Sequence, residues 1–459
     1  MSHAEIAARA SRSALRAKVW TGFLAAIVFV GLACAASVYA SHNKATERAS
    51  GSSGPRLTQD LNGSVPVRDG ERIHFTTELG SVIVHTQNSG KLDYHIHLET
   101  DSSQKGADAL LKSFAVTTRR ADDGVSLDAK APGRRWTGRL WATVELDVPK
   151  NVNLDLVTGG GNIESAAIQG HVDFNTAGGN ITTGNIAGPA RLYTGGGNIV
   201  ATSVDGELFA TTGGGHIVVG NVAGNATLHT SGGHIRVVSI QGVAHLDTGG
   251  GNITLGHSGA ELAVSTGGGE IQVGEAAGLV RAKTGGGGIR VVRMFGPTDL
   301  ETGAGSIYLT QVDSPVKAST TAGGITAWFV STPKSTGTCD LHSSAGDIVV
   351  HLPREFAATV DAQVQDGDAN RVIVDPAFPL KVSRGDSSTG GAHSVRAEGA
   401  LNGGGELLRL RTVAGNIRFE VSDADKQIEL YKQQMQQLQK QTEDLQRQLT
   451  QQGSQDGTP

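Results

Sequence analysis

Cysteine, aromatic residues and basic charge are all scarce in this chain. Of its 459 residues only two are cysteine, Cys34 and Cys339, and the first lies in an apolar run. Two such residues cannot build the disulfide framework that holds small secreted domains together. Aromatic residues make up 4 % of the sequence, as a thin-walled fold with tight corners requires. The net charge is −5, and residues 158–330 hold 7 Lys/Arg against 11 Asp/Glu. Without a basic stripe to neutralise phosphates, no nucleic-acid partner is expected. The same region shows no 3.6-residue periodicity, which excludes a helical core there.

What is abundant is glycine, at 64 residues, about twice the usual share. Runs such as "DTGGGNITLG" (247–256) resemble loops that cradle a phosphate, but such a loop is a single site between one strand and one helix. Here the pattern Thr-x-x-Gly recurs at Thr158, Thr176, Thr194, Thr212, Thr230, Thr248, Thr266, Thr284, Thr302 and Thr320, always 18 residues apart. Fixed-period repetition marks a solenoid, in which each repeat buries its apolar face against its neighbours.

With the threonine as position 0, position 3 is glycine in every repeat: Gly161, Gly179, Gly197, Gly215, Gly233, Gly251, Gly269, Gly287, Gly305 and Gly323. Position 5 is isoleucine in every repeat, from Ile163 to Ile325. Apolar residues return at positions 7, 10, 14 and 16, as in Val219, Val222, Leu208 and Ala210. Two short period-2 strands therefore fit each repeat, near positions 4–8 and 13–17, with the glycines at corners where φ is positive or backbones approach closely. The fold class expected is all-β: a single-stranded β-helix (β-solenoid) with 18-residue rungs and two short strands per rung. Rungs about 4.8 Å apart make a rod on the order of 45–50 Å from ten repeats. A left-handed helix of hexapeptides would repeat its inward aliphatic every six residues, whereas the spacings here run 2, 3, 4 and 2. Calcium-binding nonapeptides need Asp after the glycines, where this chain carries Asn, His, Glu, Gly or Ser.

The flanks differ from the rod. Residues 19–40 form an uncharged apolar run preceded by Arg9, Arg12, Arg16 and Lys18. The run is long enough to span a bilayer, and the basic residues favour a cytoplasmic N-terminus. A cleaved signal peptide ending at Val38-Tyr39-Ala40 is the rival reading. A lipidated Cys34 fits poorly, since Gly31 stands where a lipoprotein signal wants leucine. The expected organisation is a cytoplasmic segment 1–18, a transmembrane helix (signal anchor) 19–40 and a flexible linker 41–62. A β region with a short helix near 105–114 follows at 63–157, capping the solenoid. Regular repeats fill 158–330, and irregular rungs with a cap fill 331–421. A coiled coil at 423–450 and a disordered tail at 451–459 complete the chain. The coiled-coil seam consists of Ile428, Tyr431, Met435, Leu438, Thr442, Leu445 and Leu449, spaced by alternating threes and fours, and predicts a homo-oligomer; a frayed, solvated tail is the rival reading, since a single helix this polar has little to hold it folded.

Candidate chemistry is sparse, and no catalytic constellation or cofactor motif stands out. The position-4 column should line one edge of the rod, putting His216 and His234 within reach of a shared metal, with Glu270 nearby; Gly288 and Ser306 in the same column favour a merely polar corner. A basic group of Arg281, Lys283, Arg290 and Arg293 could contact an anionic glycan or lipid headgroup, although Glu270, Glu275, Asp299 and Glu301 lie close in sequence. The threonine column reads as structural, its hydroxyls capping backbone groups.

The Thr-Gly-Gly-Gly-Asn-Ile rungs, the lead-in "LDVPKNVNLDLVTGGGNI" (146–163) and the closing "GGGELLRLRTVAGNIRFE" (403–420) resemble the bacterial putative-adhesin β-helix family, a domain of unknown function, over residues 63–421. The resemblance implies an envelope-located β-solenoid with adhesion as a nominal role, and carries over no functional residues. The expected function is a structural or adhesive rod in the bacterial cell membrane. It would be single-pass with its bulk periplasmic or extracellular, presenting a polar surface to envelope polymers, glycans or proteins. The alternatives are a polysaccharide-acting enzyme, for which no carboxylate cluster is visible in the rungs, and a scaffold or sensor working through a membrane partner.

Overall fold

The computed structural model describes residues 56–101, 106–130, 140–331, 337–367, 369–385, 394–423, 429–437 and 440. The expected membrane span 19–40 and the tail 451–459 lie outside them. Among the described residues no helix is long and apolar enough to cross a membrane.

Each 18-residue repeat contributes two strands. One begins at the position-5 isoleucine, as in Ile199–Val204 and Ile253–Ser258. The other ends on the next threonine, as in Ala190–Thr194 and Ala244–Thr248. Each strand pairs in parallel with its equivalent 18 residues on, so Ile181 lies beside Ile199, Ile199 beside Ile217, and Ile307 beside Ile325. The isoleucine strands build a first sheet and the threonine-ending strands a second.

Alternation turns one face of each sheet inward, and the inward columns form one continuous core. All ten position-5 isoleucines are no more than 1 % exposed, each worth about 1.5–3 kcal/mol of burial. No rung could bury this face alone. The repeats are stable because they are stacked.

Both ends of the rod are laid down out of sequence order. Strands Arg72–Thr77 and Ser81–Gln87 form a rung directly beside Asn153–Thr158 and Ile163–Ser165. The later strands Gly124–Lys130 and Leu140–Pro149 then cover its far side. The other end mirrors this. Strands Leu407–Thr412 and Ile417–Val421 stack on Cys339–Ser343 and Ile348–Leu352, and the earlier strands Ala358–Val364 and Val372–Val374 lie outside them. Antiparallel strands finish both ends, including Lys91–Asp101 on Leu140–Pro149 and Ser394–Leu401 on Ala358–Val364. An exposed parallel rung would offer a row of open backbone groups to another chain, and these strands cover that edge. The expected short helix forms at Ala107–Ser113.

One expected boundary moves. Residues 56–62, predicted as flexible linker, belong to strand Arg56–Pro66, which pairs antiparallel with Lys91–Asp101 over its full length. Leu57, Leu61 and Val65 recur every fourth residue and so share one face of a strand, and Leu61 and Val65 pack on the core. The surrounding polar composition hides that face. Gly63 leaves room for the Tyr94 ring, which a Cβ there would strike.

Candidate functional site

The glycine-rich corner is built by hydrogen bonds between rungs. Thr230 Oγ1 donates to the Gly215 carbonyl of the preceding rung at 2.8 Å and accepts from the Gly233 N–H at 3.2 Å. The same pair of bonds is made by Thr176, Thr194, Thr212, Thr248, Thr266, Thr284, Thr302 and Thr320. These threonines are 6 % exposed or less, so the column satisfies buried backbone groups and is closed to a ligand.

Position 3 explains its own glycine. A Cβ on Gly233 would be driven into the Gly215 carbonyl, and the same overlap repeats from Gly161 to Gly323. None of these glycines has a positive φ. Close approach, not left-handed backbone, is therefore what excludes a side chain.

The position-4 column forms a second ladder. Asn180 N–H donates to Asn162 Oδ1 at 2.8 Å, Asn198 N–H to Asn180 Oδ1 at 2.7 Å and His216 N–H to Asn198 Oδ1 at 2.7 Å. The series continues through the imidazoles. His234 N–H donates to His216 Nδ1 at 2.9 Å, and Asn252 N–H to His234 Nδ1 at 2.8 Å. The two rings stack with centroids 5.0 Å apart and planes inclined by 11°. Each Nδ1 must be unprotonated to accept, which fixes the neutral Nε2–H tautomer. Burial, with Arg236 nearby, holds both rings below the ordinary histidine pKa, and His216 adds to the effect on His234.

This geometry bears on the metal candidate of His216, His234 and Glu270. Both Nδ1 atoms are occupied by backbone N–H groups, and Asn252 separates His234 from Glu270 in the column. Among the described residues no group of three His, Cys, Asp or Glu is placed to hold a metal ion.

The basic group does not form one patch. Arg281 and Lys283 point outward from the second sheet, in Val280–Thr284, whereas Arg290 and Arg293 belong to Ile289–Met294 of the first. Ten residues of sequence span two opposed faces, because each half-rung changes sheet. Each pair is also engaged locally. Arg281 meets Glu261 at 2.6 Å and Lys283 meets Glu301 at 3.0 Å. Arg293 lies 4.5 Å from the Phe295 ring centroid and 3.9 Å from Glu275, and Arg290 lies over Tyr308. An anionic polymer would find no single basic surface here.

The described part of the expected coiled coil is occupied by the rod itself. Residues 429–437 are helical. Tyr431 Oη donates to Glu275 at 2.7 Å, Thr310 Oγ1 bonds Gln434 Oε1 at 2.7 Å, and Met435 is 7 % exposed with its methyl near Gly274. Burial beside the Glu275 carboxylate pushes the Tyr431 phenol above its usual range. The first sheet's outward position-8 column is small or aliphatic (Gly256, Gly274, Val292, Thr310), and it gives an apolar helix stripe somewhere to bury. Tyr431 and Met435 thus face this chain's own solenoid. Seam residues Ile428, Leu438, Thr442, Leu445 and Leu449 lie outside the described residues.

Two features lie outside the candidates singled out from the sequence. Tyr193 and Phe209 stand exposed on the second sheet at 50 % and 37 %, Phe209 beneath the Arg191 guanidinium. Their outward phase was readable from alternation. In the N-terminal cap, Asp60 bridges His95 and His97 at 3.0 and 2.7 Å, while Glu145 and Glu99 meet the rings' other nitrogens at 3.2 Å each. Only the pairing of three strands separated in sequence brings these groups together.

No protein-family model matches this chain, and no curated protein does. Solved structures do resemble it. A putative cell adhesion protein from Clostridium sporogenes is 9 % identical, with 80 % of this chain and 99 % of that one covered and a TM-score of 0.17. A putative adhesin from Bacteroides fragilis is 15 % identical over 59 % of this chain and 97 % of its own, with a TM-score of 0.23. A putative lipid binding protein from Parabacteroides distasonis is 14 % identical over 57 % of this chain and 94 % of its own, with a TM-score of 0.24. These three neighbours are bacterial proteins named for adhesion or lipid binding, while the fold itself rests on the strand register.

Proposed function

We propose that this chain is an exported, membrane-anchored rod that adheres to a linear polymer of the cell envelope or its surroundings and catalyses no reaction. The carrying observation is the outward face of the second sheet. Its side chains stand in register at one-rung intervals, as in Asp173, Arg191, Phe209, Thr227 and His245. A face whose side-chain positions recur at one-rung spacing suits an extended ligand with repeating units, because many weak contacts on one chain add as avidity. Export is supported by the basic residues before the uncharged run at 19–40.

The test is retention of the full-length protein, in detergent, on peptidoglycan, outer-membrane lipid and cell-derived exopolysaccharide. Retention on one polymer that weakens as that polymer is shortened is the expected result. Equal binding to short fragments, or none to any polymer, would refute an adhesive rod.

A further inference from the structure

One rung of the second sheet interrupts the series of long outward side chains. Ala263 and Ser265 lie between His245 and Asp247 on one side and Arg281 and Lys283 on the other. The two short residues leave an open notch of about 380 Å³ on the sheet face.

Its polar groups are held in place by one another. The Ser265 hydroxyl bonds the Asp247 carboxylate, whose other oxygen lies 2.9 Å from His229 Nδ1. Lys283 extends to Glu301 in the next rung at 3.0 Å, and Arg281 to Glu261 at 2.6 Å. Asp299 adds another carboxylate to the lining. Acid outnumbers base in and around the notch, so a polyanion gains little from Arg281 and Lys283. A neutral polyhydroxylated ring suits it better. Such a ring can donate to Asp247, accept from Arg281 or Lys283, and lay its C–H face on the Ala263 methyl.

We propose that this notch binds one ring of a neutral glycan, an inference that rests on the adhesive reading and gives it a location. Phe209 lies three rungs away in the same outward column, about 14 Å along the rod. Its ring, 37 % exposed with the Arg191 guanidinium over one face, offers an aromatic contact for a second ring of the same glycan.

The experiment is native affinity electrophoresis of the full-length protein through gels containing dextran, mannan, hydroxyethylcellulose or polygalacturonate. Ala263→Phe fills the notch with a side chain the column already carries at Phe209, and Asp247→Asn removes the acceptor charge at nearly constant shape. The expected result is retardation of the wild type in at least one neutral gel, with apparent affinity reduced about tenfold or more in either variant. Unchanged retardation of both variants would overturn the notch while leaving adhesion standing. Retardation by polygalacturonate alone would overturn the neutral-glycan assignment. No retardation in any gel would overturn the notch and weigh against glycan adhesion itself.

Discussion

Replacing Gly233 by alanine adds one methyl group at a point where two backbones touch. The new Cβ would overlap the Gly215 carbonyl of the preceding rung, so the rungs must separate locally. Overpacking of this kind costs about 1–3 kcal/mol. The displaced backbone also carries three hydrogen bonds: Thr230 to Gly215, Gly233 to Thr230, and Thr248 to Gly233. Losing two of them adds about 2 kcal/mol, so the local loss is about 3–5 kcal/mol. At 1.4 kcal/mol per tenfold, amide exchange in 230–236 should accelerate by about 10²- to 4 × 10³-fold. The control lies one residue away. A Cβ on Gly232 meets open space and its φ is not positive, so Gly232→Ala should change local stability by no more than about 0.5 kcal/mol. Hydrogen exchange with mass spectrometry resolves the two, and exchange near residue 163 should stay unchanged because rungs couple mainly to their neighbours. Equal behaviour of the two alanine variants would refute the close-approach argument.

The other expectations concern histidines and the C-terminal helix. His216 and His234 have folded pKa values below the ordinary 6.5. The unfolded chain then binds more protons, and the stability of that corner is full above pH 6.5 and lost as pH falls from there through the lower folded values. Exchange in 230–240, corrected for intrinsic rate, should quicken in acid, and His216→Asn with His234→Asn should abolish that sensitivity, since asparagine accepts the same bond elsewhere in the column; acid sensitivity retained in the double variant would show that the imidazoles are not its source. His95 and His97 behave oppositely. Glu145 and Asp60 raise the pKa of His95, and Asp60 with Glu99 that of His97. Their contribution is full below pH 6.5 and fades as pH rises through the higher folded values, so exchange in strand Arg56–Pro66, corrected for intrinsic rate, should quicken on alkalinisation. Met435→Asp places a charge at a buried contact and should release residues 429–437, read as loss of their amide protection. Tyr431→Phe removes one hydrogen bond and should cost about 1 kcal/mol. Protection that survives Met435→Asp would show that the rod contact does not hold the helix.

The rung was fully legible in the sequence. Thr158 through Thr320, with glycine three residues on and isoleucine five, set the strand period, the inward columns and the stacking, because a solenoid makes its contacts at a fixed sequence separation. The same rule hid a further rung. Thr77, Gly80, Ser81 and Val82 repeat the corner, and Thr158 Oγ1 donates to Gly80 at 2.8 Å. Yet the cap strands Gly124–Lys130 and Leu140–Pro149 intervene in the chain and break the 18-residue spacing.

Tertiary structure alone decided the rest. It showed that Arg281 and Arg290 belong to opposite faces and that two small residues, Ala263 and Ser265, open a notch between longer neighbours. It showed that the position-4 imidazoles accept backbone N–H groups, and that Tyr431 and Met435 meet Glu275 and Gly274 across more than 150 residues of chain. Periodicity fixes which way a side chain points along its own strand. Which groups it then meets depends on distances between rungs, ends and faces, and those exist only once the chain is stacked.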